Sequence, residues 1–172
     1  MGIERSGRRI SSKRLETVLR KLLDAAPLCA IATVSGSRAH VNTAYFAWSD
    51  DFRLVWVSEP RACHSRNVRE RRTAAIAVFD SHQTWGKPDR GVQLFGSARE
   101  TRGRTAELAR AVYARRFRDY DAEQLGAYLA YEFRPQRVKL FDEREFGGGV
   151  FVTALVQDGK LVWERTEIYS SA

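Results

Sequence analysis

Residues 58–67 read Ser-Glu-Pro-Arg-Ala-Cys-His-Ser-Arg-Asn and gather most of the side chains in this chain that could do chemistry. Three chemistries can be weighed. A zinc site needs three or four Cys, His or carboxylate ligands at constrained spacing. The chain has three histidines, His40, His64 and His82, and no CxxC or HxxxH pattern. Adjacent Cys63 and His64 on a helix would point about 100° apart, so no metal site is expected. A Cys/His nucleophilic pair needs the base to face the thiol beside an oxyanion pocket. Neighbouring positions on one turn do not give that, and no flanking signature supports a more distant base such as His40. The third is anion binding. A helix N-terminus offers free N–H groups and the positive end of its dipole, and Ser58, Arg61, His64, Ser65 and Arg66 would add donors and charge there. On residue types alone, an exposed basic helix face with one capping serine explains the stretch equally well.

The elements around this stretch decide its setting. Leu15, Val18, Leu19, Leu22 and Leu23 fall on one face of a helix, which Ser11 or Ser12 can cap and Pro27 ends. Three apolar, β-branched runs follow, 28–34, 38–48 and 53–58, separated by the short turns Ser-Gly-Ser and Ser-Asp-Asp. They read as an antiparallel meander. Ser58 then caps a helix that includes Pro60 near its start and runs to about Arg71. Strands are expected at 73–80, 91–101 and 132–142, the second interrupted by Gly96, which implies a bulge or a close approach to the backbone. Helices are expected at 105–117, with Leu108, Ala111, Val112 and Phe117 inward, and at 121–131, where Asp121 and Gln124 have capping-box spacing. Residues 143–149 read as a flexible loop, and the rest as a hairpin turning at Asp158-Gly159.

Strands joined mainly by hairpins make the fold class mainly β and antiparallel. A β-barrel of six or seven strands with peripheral helices is the expected architecture. Residues 1–10 read as a flexible basic tail and 11–172 as one domain. No apolar run approaches a membrane span. Two cysteines among 172 residues imply no disulfide framework, which fits a reducing cytoplasm. The net charge of +8 rests on 24 arginines and 5 lysines and favours an anionic ligand without choosing one. Nucleic acid is the weaker candidate, because the aromatic residues sit in apolar strand patterns that read as core.

The order and spacing of ATVSGSRAHVNTAYFAW, RLVWVSEPRACHSRNV, AAIAVFD, GVQLFGSARE, ELARAVYARRF and YEFRPQRVKLFD, over about residues 28–142, resemble the FMN-binding split-barrel family that includes pyridoxamine 5'-phosphate oxidase. The resemblance implies an antiparallel split β-barrel, a homodimer with its cofactor sites at the interface, and a small-molecule substrate. It places Asn42, Thr43 and Ala44 along the flavin and Val57 and Ser58 at a strand end that touches it. Ser58, His64, Ser65 and Arg61 would lie around the phosphate, Gly91 and Gln93 on a strand passing the ring, and Phe141 of the partner subunit would cover it. The oxidase carries an arginine at the position of Asn42 and lysines at those of Ala47 and His64, so the phosphate grip here leans on His64, with Arg61, Arg66 or Lys87 as further candidates. The implied function is an FMN-dependent oxidoreductase, with no catalytic acid or base singled out. Alternatives on the same fold are the deazaflavin F420, whose acidic tail suits the basic excess, or a non-enzymatic module. Such a module would have lost flavin binding and would take heme, an anionic metabolite or nucleic acid.

Overall fold

A computed structural model describes residues 2–119, 121 and 126–170. In chain order the elements are β1 (Gly2–Ser6), α1 (Ser12–Ala25), β2 (Leu28–Ser35), β3 (Arg38–Tyr45), β4 (Ala47–Trp48), β5 (Leu54–Ser58), α2 (Cys63–Glu70), β6 (Thr73–Phe79) and β7 (Arg90–Glu100). They continue with α3 (Arg104–Arg116), β8 (Leu129–Asp142), α4 (Glu143–Phe146), β9 (Val150–Gln157) and β10 (Lys160–Ser170). The fold is mainly β and antiparallel, as expected, but with ten strands among the described residues. Two of the added strands are β1, at the N-terminus, and β4, which buried Phe46 divides from β3 within one expected strand.

Two compact units partition the chain. The first comprises Met1–Ala26, Ala77–Phe95 and Gln136–Ala172, with strand order β1-β10-β9-β8-β7-β6. All five apolar residues of the α1 stripe are buried; at about 1.5–3 kcal/mol per buried side chain, this face is the main reason the segment is helical. Ser11 caps α1 by accepting from the Arg14 N–H, and the Glu16 carboxylate accepts from the Leu161 N–H of β10 at 3.1 Å. Asp158 and Gly159 both take positive φ, 49° and 73°, the conformation a two-residue hairpin turn requires.

The expected basic tail is a strand. Gly2–Ser6 pair antiparallel with β10, from Gly2 opposite Ser170 to Ser6 opposite Thr166. The residues behind it are also held. The Arg8 guanidinium donates to the Phe146 carbonyl at 2.7 Å, Arg9 lies over the Trp163 ring, and Ile10 is buried. The expected loop at 143–149 begins with a helical turn, because Asp142 accepts from the Arg144 and Glu145 N–H groups. Glu145 in turn bonds Lys21 and Arg14 of α1.

The second unit comprises Pro27–Ile76 and Gly96–Pro135, with strand order β3-β2-β6-β7-β8-β5-β4. β5 therefore pairs with β8, and the three-stranded meander expected from the sequence is a β2–β3 hairpin followed by a strand that leaves it. Its core holds Phe46, Phe52, Leu54, Trp56, Tyr131 and Phe133, all fully buried. At Gly96 a Cβ would collide with the Arg134 carbonyl, so the glycine marks a close approach of β8 to β7. α3 turns Ala109 and Tyr113 inward, with Val112 and Phe117 beside them, while Leu108 is 59% exposed. The inward assignment of Leu108 and Ala111 fails because this arginine-rich helix has no clean apolar stripe for the sequence to reveal. In the helix expected at 121–131, positions 129–131 are strand β8 and 122–125 lie outside the described residues.

Candidate functional site

Alternation along β3 sorts the residues expected to line a ligand. His40, Asn42 and Ala44 are partly buried on one face, and Val41, Thr43 and Tyr45 are exposed on the other. Asn42 and Ala44 therefore share a surface that Thr43 does not. Val57 and Ser58 end β5, opposite Ala130 and Leu129 of β8.

Ser58 caps no helix, contrary to expectation. It is the last residue of β5, and α2 starts only at Cys63. Between them, the Ala62 N–H donates to the Glu59 carbonyl at 3.0 Å and closes a turn around Pro60. The N-cap is Ala62, which has no capping side chain. First-turn N–H groups of α2 are thus left to partners from outside the helix. The nearby polar side chains are only partly available. The Ser65 hydroxyl donates to the Glu59 carbonyl at 2.9 Å. The Arg61 side chain is 89% exposed and paired with Glu59.

His64 is buried at 7% exposure. Burial, with His40 adding repulsion, pushes its pKa below the ordinary value of 6.5. The imidazole is neutral at neutral pH, so the cation that the resemblance placed here is absent under those conditions; the ring can still offer one N–H. It stands edge-on to Tyr131, with centroids 6.4 Å apart. Tyr131 stacks in turn on Trp56, its register partner, at 5.6 Å.

Among the described residues five side-chain atoms in this run are buried without a hydrogen bond of good geometry: His40 Nδ1, Asn42 Oδ1, Trp56 Nε1, His64 Nε2 and the Tyr131 hydroxyl, which has the Ser65 and Arg69 side chains beside it. Folded proteins rarely tolerate such atoms, and a cluster of them calls for an account. Sequence reasoning singled out Asn42 and His64 but passed over Trp56 and Tyr131. Their apolar strand context identified them as core, which they are, and gave no sign that their polar ends lack such a bond.

α2 is anchored from its buried side by Asn67, whose amide donates to the Thr33 hydroxyl at 3.0 Å. Neither thiol reads as a nucleophile. Cys63 makes only a long contact to Asn67. Burial pushes Cys29 up to about 12, against smaller opposing effects of Arg116 and the Ala44 backbone. Among the described residues no group of three or more His, Cys, Asp or Glu could hold a metal ion, and no helix is long and apolar enough to cross a membrane.

The other expected residues, Gly91, Gln93 and Phe141, belong to the first unit. Gln93 is exposed. The Phe141 ring of the same chain fills the space a Cβ on Gly91 would occupy, and it also packs on Phe151, with centroids 5.6 Å apart. Within this chain, the close approach that glycine permits at position 91 is made by Phe141.

A family model described as pyridoxamine 5'-phosphate oxidase matches residues 15–142. Solved structures with the same fold include a heme binding protein from Mycobacterium smegmatis, at 19% identity and a TM-score of 0.63 over 87% of this chain and 60% of that one. An FAD-binding protein from Mesorhizobium loti matches at 17% identity and a TM-score of 0.62, over 82% and 98% of the two chains. HutZ, a heme storage protein from Vibrio cholerae, matches at 17% and 0.58, over 71% and 90%. This chain thus spans less than two thirds of the Mycobacterium smegmatis protein. No curated protein sequence is matched.

Proposed function

The chain belongs to the pyridoxamine 5'-phosphate oxidase family, and on that premise we propose that it binds FMN and acts as a flavin-dependent oxidoreductase on a small molecule. The observation that carries the reading is the line of buried, unpartnered polar atoms from Asn42 to Trp56 beside the uncapped start of α2. These residues suit a ligand with both a phosphate and a polar ring. The first-turn N–H groups of α2, one N–H of His64 and the end of β5 at Ser58 are donors for a phosphate. The Asn42 Oδ1 is an acceptor for a ring N–H, and Tyr131 and Trp56 are donors for carbonyl oxygens. When bound, the flavin supplies the hydride chemistry. The chain's own part is to bind and orient it along Asn42 and Ala44. A small-molecule substrate and a reducing cytoplasmic setting belong to the same reading.

The dimer that family membership leads one to expect is supported by the exposed apolar side chains Leu28, Val41 and Tyr45 on paired strands β2 and β3. Light scattering that gives the mass of two chains supports that part; the mass of one chain removes it.

A heme-binding module is the second reading, favoured by one feature. His40 and His64 each keep a buried ring nitrogen without a partner, and imidazole is a common iron ligand. The heme binding and heme storage proteins of the same fold are consistent with it. The deciding experiment is an absorbance spectrum of the purified protein, followed by titration with FMN, F420 and heme. Saturable uptake of FMN at one per chain supports the proposal. No FMN uptake together with a Soret shift on adding heme replaces it with the second reading. Uptake of F420 alone keeps the oxidoreductase class and changes the cofactor.

A further inference from the structure

A second basic recess lies in the unit that holds α2, and it shares no residue with the proposed cofactor site. It is a cavity of about 350 Å³ lined by Val68, Arg69, Arg72, Arg99, Glu100, Arg102 and Thr105. Four arginines and one glutamate thus line it. Glu100 is divided between Arg69 and Arg102, each at 3.2 Å. Arg99 reaches outside the lining to Glu132, at 3.1 Å, and shares it with Arg53 and Arg134. Among the described residues the Arg72 guanidinium makes no hydrogen bond or ion pair. The Thr105 hydroxyl is committed to the Arg102 backbone, so the recess is built by arginines.

We infer that this recess is a binding site for a small phosphate-bearing anion of at least two negative charges. Three properties select that class. Guanidinium forks match phosphate oxygens in pairs. The local positive charge exceeds what a singly charged carboxylate would offset, and one carboxylate, Glu100, is already present. The volume lies at the small end of metabolite pockets, with space for more than bare phosphate. The backbone near Arg72 is fixed, since its carbonyl accepts from the Ala98 N–H at 2.7 Å. Arg69 is held from two sides, by Glu100 and the Pro60 carbonyl.

Calorimetry at low ionic strength on the full chain, with inorganic pyrophosphate as the probe, tests the inference. Saturable binding at one per chain is expected, weakened about tenfold in Arg72→Ala by loss of a charge-assisted pair and by less in Arg72→Lys, which keeps the charge without the fork. Arg115→Ala, an exposed arginine of α3 outside the recess, should alter affinity by less than about twofold if the effect is local and not a general field. FMN affinity should be the same in Arg72→Ala as in the parent, which separates this site from the cofactor reading. Thermal melts of each variant confirm folding. Absence of saturable binding overturns the inference, as does equal weakening by Arg115→Ala. Binding of random-sequence duplex DNA without binding of pyrophosphate also overturns it, and would assign the basic surface to nucleic acid.

Discussion

His64 and Tyr131 meet edge to face, 6.4 Å between centroids and 68° between planes, and neither the His64 Nε2 nor the Tyr131 hydroxyl has a hydrogen bond of good geometry. Both polar groups lie on the line of atoms on which the proposed ligand reading rests, and the Ser65 and Arg69 side chains stand beside the Tyr131 hydroxyl.

His64→Ala is expected to weaken FMN binding about tenfold, the equivalent of one hydrogen bond to a charged group. Affinity should also rise as the medium is acidified through the depressed pKa of His64, where the imidazole becomes a cation facing a phosphate. Fluorescence titration of FMN across pH 5–8 measures both. Unchanged affinity in His64→Ala removes this residue from the site.

Stability of the ligand-free chain should depend on the same group with a definite sign. The folded-state pKa of His64 lies below the ordinary 6.5, because of burial and then His40. Between those two values the unfolded chain binds more protons, so stability is full above about 6.5 and is lost as pH falls towards the folded value. Melting temperatures from pH 7.5 to 5 should fall less steeply in His64→Gln than in the parent. Parallel curves for the two would contradict the assignment.

Glu132 is the carboxylate on which the charge of its unit converges, with Arg134 at 2.7 Å, Arg99 at 3.1 Å and Arg53 at 3.4 Å. Burial acts to raise its pKa, but the hydrogen bond and charge of Arg134, with Arg99 and Arg53, outweigh it and leave the carboxyl below its ordinary value. Glu132→Gln should cost roughly 2 kcal/mol at pH 7 in chemical denaturation. That lies below the range for fully buried pairs because the arginines are partly solvated. The cost should shrink as pH falls through the depressed value, where the parent loses the charge as well.

Gly96→Ala and Gly91→Ala should differ in how they can be repaired. At 96 the added methyl meets the backbone of Arg134, and a loss of about 2 kcal/mol or more is expected, because a paired strand has to move. At 91 the three atoms nearest the methyl all belong to the Phe141 ring. Gly91→Ala should therefore be partly rescued by Phe141→Leu, whereas Gly96→Ala should gain nothing from it. Denaturant midpoints of the single and double variants check this, with non-additivity only for the 91/141 pair.

The contrast between these glycines also shows what the sequence could tell. Gly96 stood out inside a strand pattern, and the close approach it implied is the one present, made by β8. The α1 leucine face and the Asp158-Gly159 turn were equally legible, because each is governed by local periodicity or backbone conformation. Ser58 was misread because a serine before a proline satisfies the local rules for a helix start. What extends the strand to Ser58 is its pairing with Leu129, 71 positions later. The site was half legible for the same reason. Asn42 and His64 were identified through the family's spacing. Trp56 and Tyr131 join them only through a β5–β8 pairing that no local pattern encodes, and the depressed His64 pKa follows from burial that spacing does not report.

The division of the chain has a consequence for the order in which it is made. Every segment of the unit Pro27–Ile76 and Gly96–Pro135 has been synthesised once residue 135 is added. The other unit needs Gln136–Ala172 as well. α1 is made well before β10, whose Leu161 N–H meets the Glu16 carboxylate. Its five-residue apolar face therefore waits, while the residues between are added, without the strand that covers it. On the ribosome this helix finds its place only after β10 emerges, and the leucines of residues 15–23 are a surface for a nascent-chain chaperone to shield meanwhile.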